Sequence, residues 1–360
     1  MSHTHPREST CLYGHQNIIS QLTEMFLSKK MPHAVLLAGP KGIGKATLAY
    51  HFARYVLSFK KEPMSSLQLT GTENPSFKIE EDKTVFSLVS AKSHVDLYVL
   101  EKEISGRTGR KKKEITVDDA RKLKQFFSLT AVSSLWRVAI IDAADEMNHN
   151  AANAILKSLE EPPKRTILIL ISHSHNLRLE TITSRCQRHS LHPLSLKDFS
   201  TVIFSFGEEL SQDDIDLLFY LSNGSPGIGS RILENDGIDL YKRVVELLIE
   251  APTIDYPKIH LLADQLSMRG SEEKFELSIQ LLLRWISSCI KSKFIPELRS
   301  EVVKGEFLAA ERIISIKKID EWVRLWEELD HKCSEINRLN LDRKQVLLST
   351  FSAIGRLSEE

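Results

Sequence analysis

Gly39-Pro-Lys-Gly-Ile-Gly-Lys45-Ala-Thr47 is the stretch on which the reading of this chain turns. It follows Ala34-Val-Leu-Leu-Ala38, an unbroken apolar run that predicts a buried strand, and it precedes helical spacing over Leu48 to Leu57. Strand, glycine-rich loop and helix in that order form a phosphate-binding loop. Gly39, Gly42 and Gly44 let backbone N–H groups close around phosphate oxygens, and Lys45 reaches the outer phosphates. The next position calls for a Ser or Thr hydroxyl to bind Mg²⁺. It holds Ala46 instead, with a hydroxyl only at Thr47. A nucleotide cradle is therefore expected with part of its chemistry missing.

Working outward, 360 residues suffice for two to three domains. Apolar residues make up 42% and charged residues 27%, an ordinary balance for a globular chain. Lys+Arg and Asp+Glu both number 48, so excess positive charge does not drive nucleic-acid binding by this chain alone. No apolar run approaches the ~20 residues that cross a bilayer. The N-terminal stretch lacks the apolar core of a secretory signal, so a cytoplasmic location and no membrane are expected. Cys11, Cys186, Cys289 and Cys333 are scattered without pairing or CxxC spacing, and they read as reduced thiols.

Apolar runs at Asp96–Leu100, Trp136–Ile141 and Thr166–Ile171 and a short one at Arg188–Leu191 predict further strands, with helices at His15–Lys29, from Thr116 to about Leu129, and at Ala151–Leu159. Thr116 is an N-cap, with Asp118 and Asp119 in the first turn. The alternation predicts an α/β fold, a parallel sheet with helices on both faces. Residues 60–92 are polar and irregular, with Pro63, Gly71 and Pro75, and read as an insertion. Beyond about Pro193 the strand pattern fades into helices, including a long one from Glu272 to Lys291.

Val138-Ala-Ile-Ile-Asp142 is an apolar strand ending in a carboxylate, the arrangement that holds Mg²⁺ in phosphate-loop enzymes. The following slot, where hydrolysing relatives place a water-orienting glutamate, holds Ala143. Downstream lie Asn153-Ala-Ile-Leu-Lys, Leu159-Glu-Glu-Pro-Pro163, Thr183-Ser-Arg-Cys186 and Gly224-Ser-Pro-Gly227.

Over about residues 12–235 these motifs resemble the bacterial sliding-clamp-loader family of AAA+ proteins. The resemblance implies an AAA+ domain over 1–190 with an insertion at about 60–113, a small helical lid over 191–245, and an all-α collar domain over 246–360. It implies that Arg185 is an arginine finger acting in trans on a neighbour's ATP, the alternative being a structural ion pair. In motor members an arginine senses nucleotide where this chain has Gly227. Arg231, one helical turn further and so shifted by roughly 5 Å, is the residue that would have to compensate. Losses at Ala46, Ala143 and Gly227 all fall on the site in cis. The implied function is a hydrolysis-poor stator in DNA replication, with delta and gamma/tau subunits, the sliding clamp and primed DNA as partners. The alternatives are an active motor ATPase and a non-replicative adaptor.

Whether ATP or ADP is still held through Gly39, Gly42, Gly44, Lys45, Thr47 and Asp142 stays open. Many relatives carry a four-cysteine zinc module after the loop helix. Residues 60–92 contain no cysteine, so no zinc is expected. His173 and His175 read as solvated loop histidines, and the basic run Arg107–Lys113 reads as a solvated hairpin tip rather than a DNA contact.

Overall fold

The computed structural model describes residues 5–61, 83–102, 112, 114–174, 180–251, 253, 255–294, 303–315, 319–339 and 342–358. Of the basic run only Lys112 falls among them, and His175 and residues 62–82 do not. The chain divides into two compact units, residues 1–207 with 224–227, and residues 208–223 with 228–360. The segment 191–245 contributes to both.

The first unit is built on five parallel strands: β1 (Ala34–Ala38), β2 (Leu97–Glu101), β3 (Arg137–Asp142), β4 (Thr166–Ser172) and β5 (Gln187–Ser190), in the spatial order β2-β3-β4-β1-β5. Around them lie α1 (Gln16–Leu27), α2 (Lys45–Leu57), α3 (Lys83–Ser90), α4 (Val117–Ser128), α5 (His149–Glu160), α6 (Glu180–Thr183) and α7 (Leu196–Ser205). β1 shows why its sequence is continuously apolar. Val35 and Leu37 pack with Leu22 and Phe26 of α1 and Leu48, Phe52 and Val56 of α2. Ala34, Leu36 and Ala38 face the other way, towards Leu123 of α4 and Ile155 and Leu159 of α5. A strand covered on both faces has no polar side to display.

Two local devices place the strand ends. Thr116 caps α4, its N–H donating to Asp119 Oδ2 at 3.2 Å, and Lys112 lies 4.0 Å from the same carboxylate. The buried Asp96, just before β2, accepts from the N–H groups of Val132, Ser133 and Ser134 at 2.8–2.9 Å and from both serine hydroxyls at 2.9 and 3.0 Å. That carboxylate fixes the turn that launches β3, whose far end carries Asp142.

The segment expected to be irregular over 60–92 ends in a helix. α3 is short and rich in β-branched residues, which weaken a helical pattern in sequence. Val85 and Val89, packed onto the α1–α2 face, hold it.

In the second unit every described regular element is a helix: α8 (Gln212–Ser222), α9 (Pro226–Glu234, entering from the first unit), α10 (Gly237–Ile249), α11 (Tyr256–Ser267), α12 (Glu272–Phe294), α13 (Glu306–Ser315), α14 (Ile319–Leu339) and α15 (Arg343–Ser358). α12 is its axis, with Phe275, Ile279, Leu282, Trp285 and Ile286 buried, and α10, α11, α13 and α14 pack against it.

Candidate functional site

The loop after β1 turns where glycine alone fits. A Cβ on Gly39 would lie 2.3 Å from the Leu191 carbonyl oxygen, and Gly42 and Gly44 have φ of 81° and 96°. Lys45, the first residue of α2, is only 3% exposed. Its Nζ donates to the Gly39 carbonyl at 2.7 Å and to that of Pro40, so the ammonium closes on its own loop. Burial lowers Lys45 to about 8, against the opposing pull of Asp142 and Asp145. The structure thus brings Gly39, Gly42, Gly44, Lys45 and Asp142 to one place, with Thr47 partly buried in the first turn of α2.

Backbone N–H groups at a helix start, backed by an ammonium, suit a phosphate. The metal half is different. Ala46 offers a methyl that packs on the α1–α2 core. Ala143 is 1% exposed, and the next two carboxylates are committed elsewhere. Asp145 accepts from Ser172 Oγ at 2.9 Å and from the His173 N–H, while Glu146 pairs with Lys102 at 2.8 Å. Among the described residues no group of His, Cys, Asp and Glu is arranged to hold a metal ion.

Two contacts missing from the sequence reading close the loop further. His15 sits in the left-handed region at the start of α1, with Nε2 2.8 Å from the Ile43 carbonyl oxygen, and burial lowers its pKa. The Gly227 N–H donates to the Gly42 carbonyl at 2.9 Å, and a Cβ at 227 would lie 3.0 Å from Gly42 Cα. Neither pairing is visible in sequence, because His15 and Gly227 stand far along the chain from the loop. Ser172 could have been found, as a polar end to the apolar run of β4.

His173 corrects an expectation. It is partly buried rather than solvated: its Nδ1 is out of water without a partner, and burial together with Lys45 and Lys41 lowers its pKa.

Arg185 lies in the turn between α6 and β5, fixed on one side by the fully buried Ile182 and on the other by Cys186, which packs against the α4–α5 core. Burial raises the Cys186 thiol to about 12, so it acts as an apolar anchor. The Arg185 Nη2 lies 2.8 Å from Glu160 Oε1 at the end of α5, and Nη1 donates to the Thr181 carbonyl at 2.8 Å and Ser184 Oγ at 3.3 Å. The ion pair named as the structural alternative is therefore present. All these partners belong to α5, α6 and the turn, and none to the phosphate loop. In the second unit Arg231 lies 3.5 Å from Glu276, an engagement of its own.

A parallel sheet in the order 2-3-4-1-5, a phosphate loop after β1 and a carboxylate at the end of β3 define a P-loop module of the AAA+ type. Residues 14–195, just over half of the chain, match the family described as "DNA polymerase III, delta subunit", and the chain belongs to that family. The delta′ subunit of DNA polymerase III from Pseudomonas aeruginosa is 34% identical over 56% of this chain and 55% of its own length. That from Escherichia coli is 30% identical over 57% of this chain and 55% of its own. The tau subunit of Bacillus subtilis is also 30% identical, over 51% of this chain and 29% of its own length. The alignments span about half the length of both delta′ relatives.

Proposed function

We propose that the chain is the delta-prime subunit of the DNA polymerase III clamp loader, a stator that hydrolyses little or no ATP itself and completes the site of a neighbouring ATPase subunit with Arg185. The observation that carries this reading is the contact between Gly227 and Gly42. The position where motor subunits need an arginine lies so close to the phosphate loop that a Cβ there would stand 3.0 Å from Gly42 Cα, and Gly42 would have to give by a few tenths of an ångström. Ala46 and Ala143 remove the Mg²⁺ hydroxyl and the water-orienting carboxylate from the same site.

Arg185 supplies the opposite half. A guanidinium fork matches the charge that spreads over a transferring phosphoryl group, and fingers offered in trans raise rates by about 10³–10⁵. In this reading residues 191–245 act as the lid and 246–360 as the collar that joins delta and gamma/tau partners, with the sliding clamp and primed DNA engaged through the assembly. ATP or ADP held by Gly39, Gly42, Gly44, Lys45, Thr47 and Asp142 serves structure rather than turnover.

The test is hydrolysis by the purified chain, alone and assembled with delta, gamma/tau, clamp and primed DNA. Silence alone, with assembled turnover that depends on Arg185, supports the stator. The intact Lys45 loop favours the rival motor reading, and turnover by the isolated chain that vanishes in Lys45→Ala would establish it.

A further inference from the structure

We infer that Glu160 is a positioning residue for Arg185, pairing with one nitrogen of the guanidinium so that the head is held in one pose for a neighbour's phosphate. The inference rests on the finger reading above and deepens it.

A guanidinium carries five N–H donors. Nη1 donates to the Thr181 carbonyl and to Ser184 Oγ, and Nη2 forms an ion pair with Glu160 Oε1 at 2.8 Å. Among the described residues Nε has no partner, and its N–H lies in the guanidinium plane along the edge it shares with Nη2. Two parallel donors are what a bidentate phosphate contact uses. Glu160 engages the guanidinium through Nη2 and leaves Nε to a neighbour's phosphate.

The anchor is well founded. Glu160 is the last residue of α5, whose Ile155 and Leu159 are buried against the sheet. Arg185 follows Ile182, which is buried in the same core. Both ends of the ion pair thus grow from packed elements, while the charged groups stay in water, with side chains 37% and 50% exposed for Arg185 and Glu160. Exposed pairs of this kind add about 0–1 kcal/mol to stability, so the contact is weak as a structural tie. Its value lies in orientation: an arginine side chain has several rotatable bonds, and fixing Nη2 and Nη1 leaves the head in one pose. Pre-oriented groups avoid paying that ordering at the moment of reaction.

The experiment uses the assembled complex with Glu160→Ala, Glu160→Gln, Arg185→Ala and the double variant. It measures kcat and KM for ATP in single- and multiple-turnover hydrolysis, with assembly and thermal midpoint as controls. Positioning predicts that Glu160→Ala lowers kcat about three- to tenfold with KM and assembly unchanged. Glu160→Gln, which keeps an accepting oxygen, recovers part of the loss. Adding Glu160→Ala to Arg185→Ala has no further effect. Unchanged or faster turnover in Glu160→Ala, or additive losses in the double variant, would overturn the inference while leaving the finger intact. An Arg185→Ala complex with normal turnover would remove the finger reading itself.

Discussion

In the proposed reading, Lys45 and Arg185 divide the chemistry of the molecule between two charges with opposite assignments. Lys45 is buried and turned onto its own loop, so a bound phosphate must draw it away from the Gly39 and Pro40 carbonyls. Its charge is also pH-sensitive. Burial lowers the folded-state value to about 8, below the ordinary lysine range, so the ammonium is present below that pH and lost above it. Anion binding needs the ammonium. Affinity for ADP, measured by calorimetry, is expected to be flat up to about pH 7.5, to fall about tenfold per unit above pH 8, and to be weak and nearly pH-independent in Lys45→Ala. Arg185→Ala is expected to slow single-turnover hydrolysis at the neighbouring site by about 10³-fold, within the range for fingers supplied in trans. The loop residues and Arg185 could both be picked out from sequence, since each sits in a compact motif. Gly227 was placed at the site by its motif, but its contact with Gly42 and the parts of His15 and Glu160 were not legible, because they depend on chain segments that meet only after folding.

At the scale of elements, the sheet was legible wherever burial on both faces forced an unbroken apolar run, as in β1, β3 and β4. α3 was not, since eight residues with three β-branched side chains carry a weak helical pattern, and packing against α2 decides the outcome. The turn that launches β3 depends on Asp96. Burial alone would raise its carboxyl, but the N–H groups of Val132, Ser133 and Ser134 prevail and hold it below the usual range. A carboxyl lowered by folding stabilises above its ordinary pKa and loses that contribution as pH falls towards the folded value. Asp96→Ala leaves three backbone N–H groups without their acceptor, and a loss of about 3–4 kcal/mol in denaturant unfolding is expected. The variant's deficit should shrink as pH falls below the ordinary carboxyl value of about 3.9, where the unfolded chain takes up its proton before the folded carboxylate does. Gly227→Ala tests the other clasp. Its Cβ would press on Gly42, so weaker ADP binding is expected with little change in the helices of the second unit.

At the scale of the molecule, the proposed stator role predicts behaviour that changes on assembly. The isolated chain is expected to show no ATP turnover above background, and assembly to confer turnover that charge removal at Arg185 abolishes. The α/β half could be read from sequence because strand and loop motifs are local. The helical half could be read only in kind, because amphipathic helices state that they pack and not against what. Arg185 also has a position beside the sheet: its turn leads into β5, the strand at one rim, where three of four residues are exposed. Rim strands are protected by one neighbour only, whereas β1 and β4 lie inside. Amide hydrogens of β1 and β4 should therefore exchange with solvent only when the whole unit opens, and those of residues 187–190 much sooner. The segment that carries Arg185 is therefore expected to open locally while the interior stays shut.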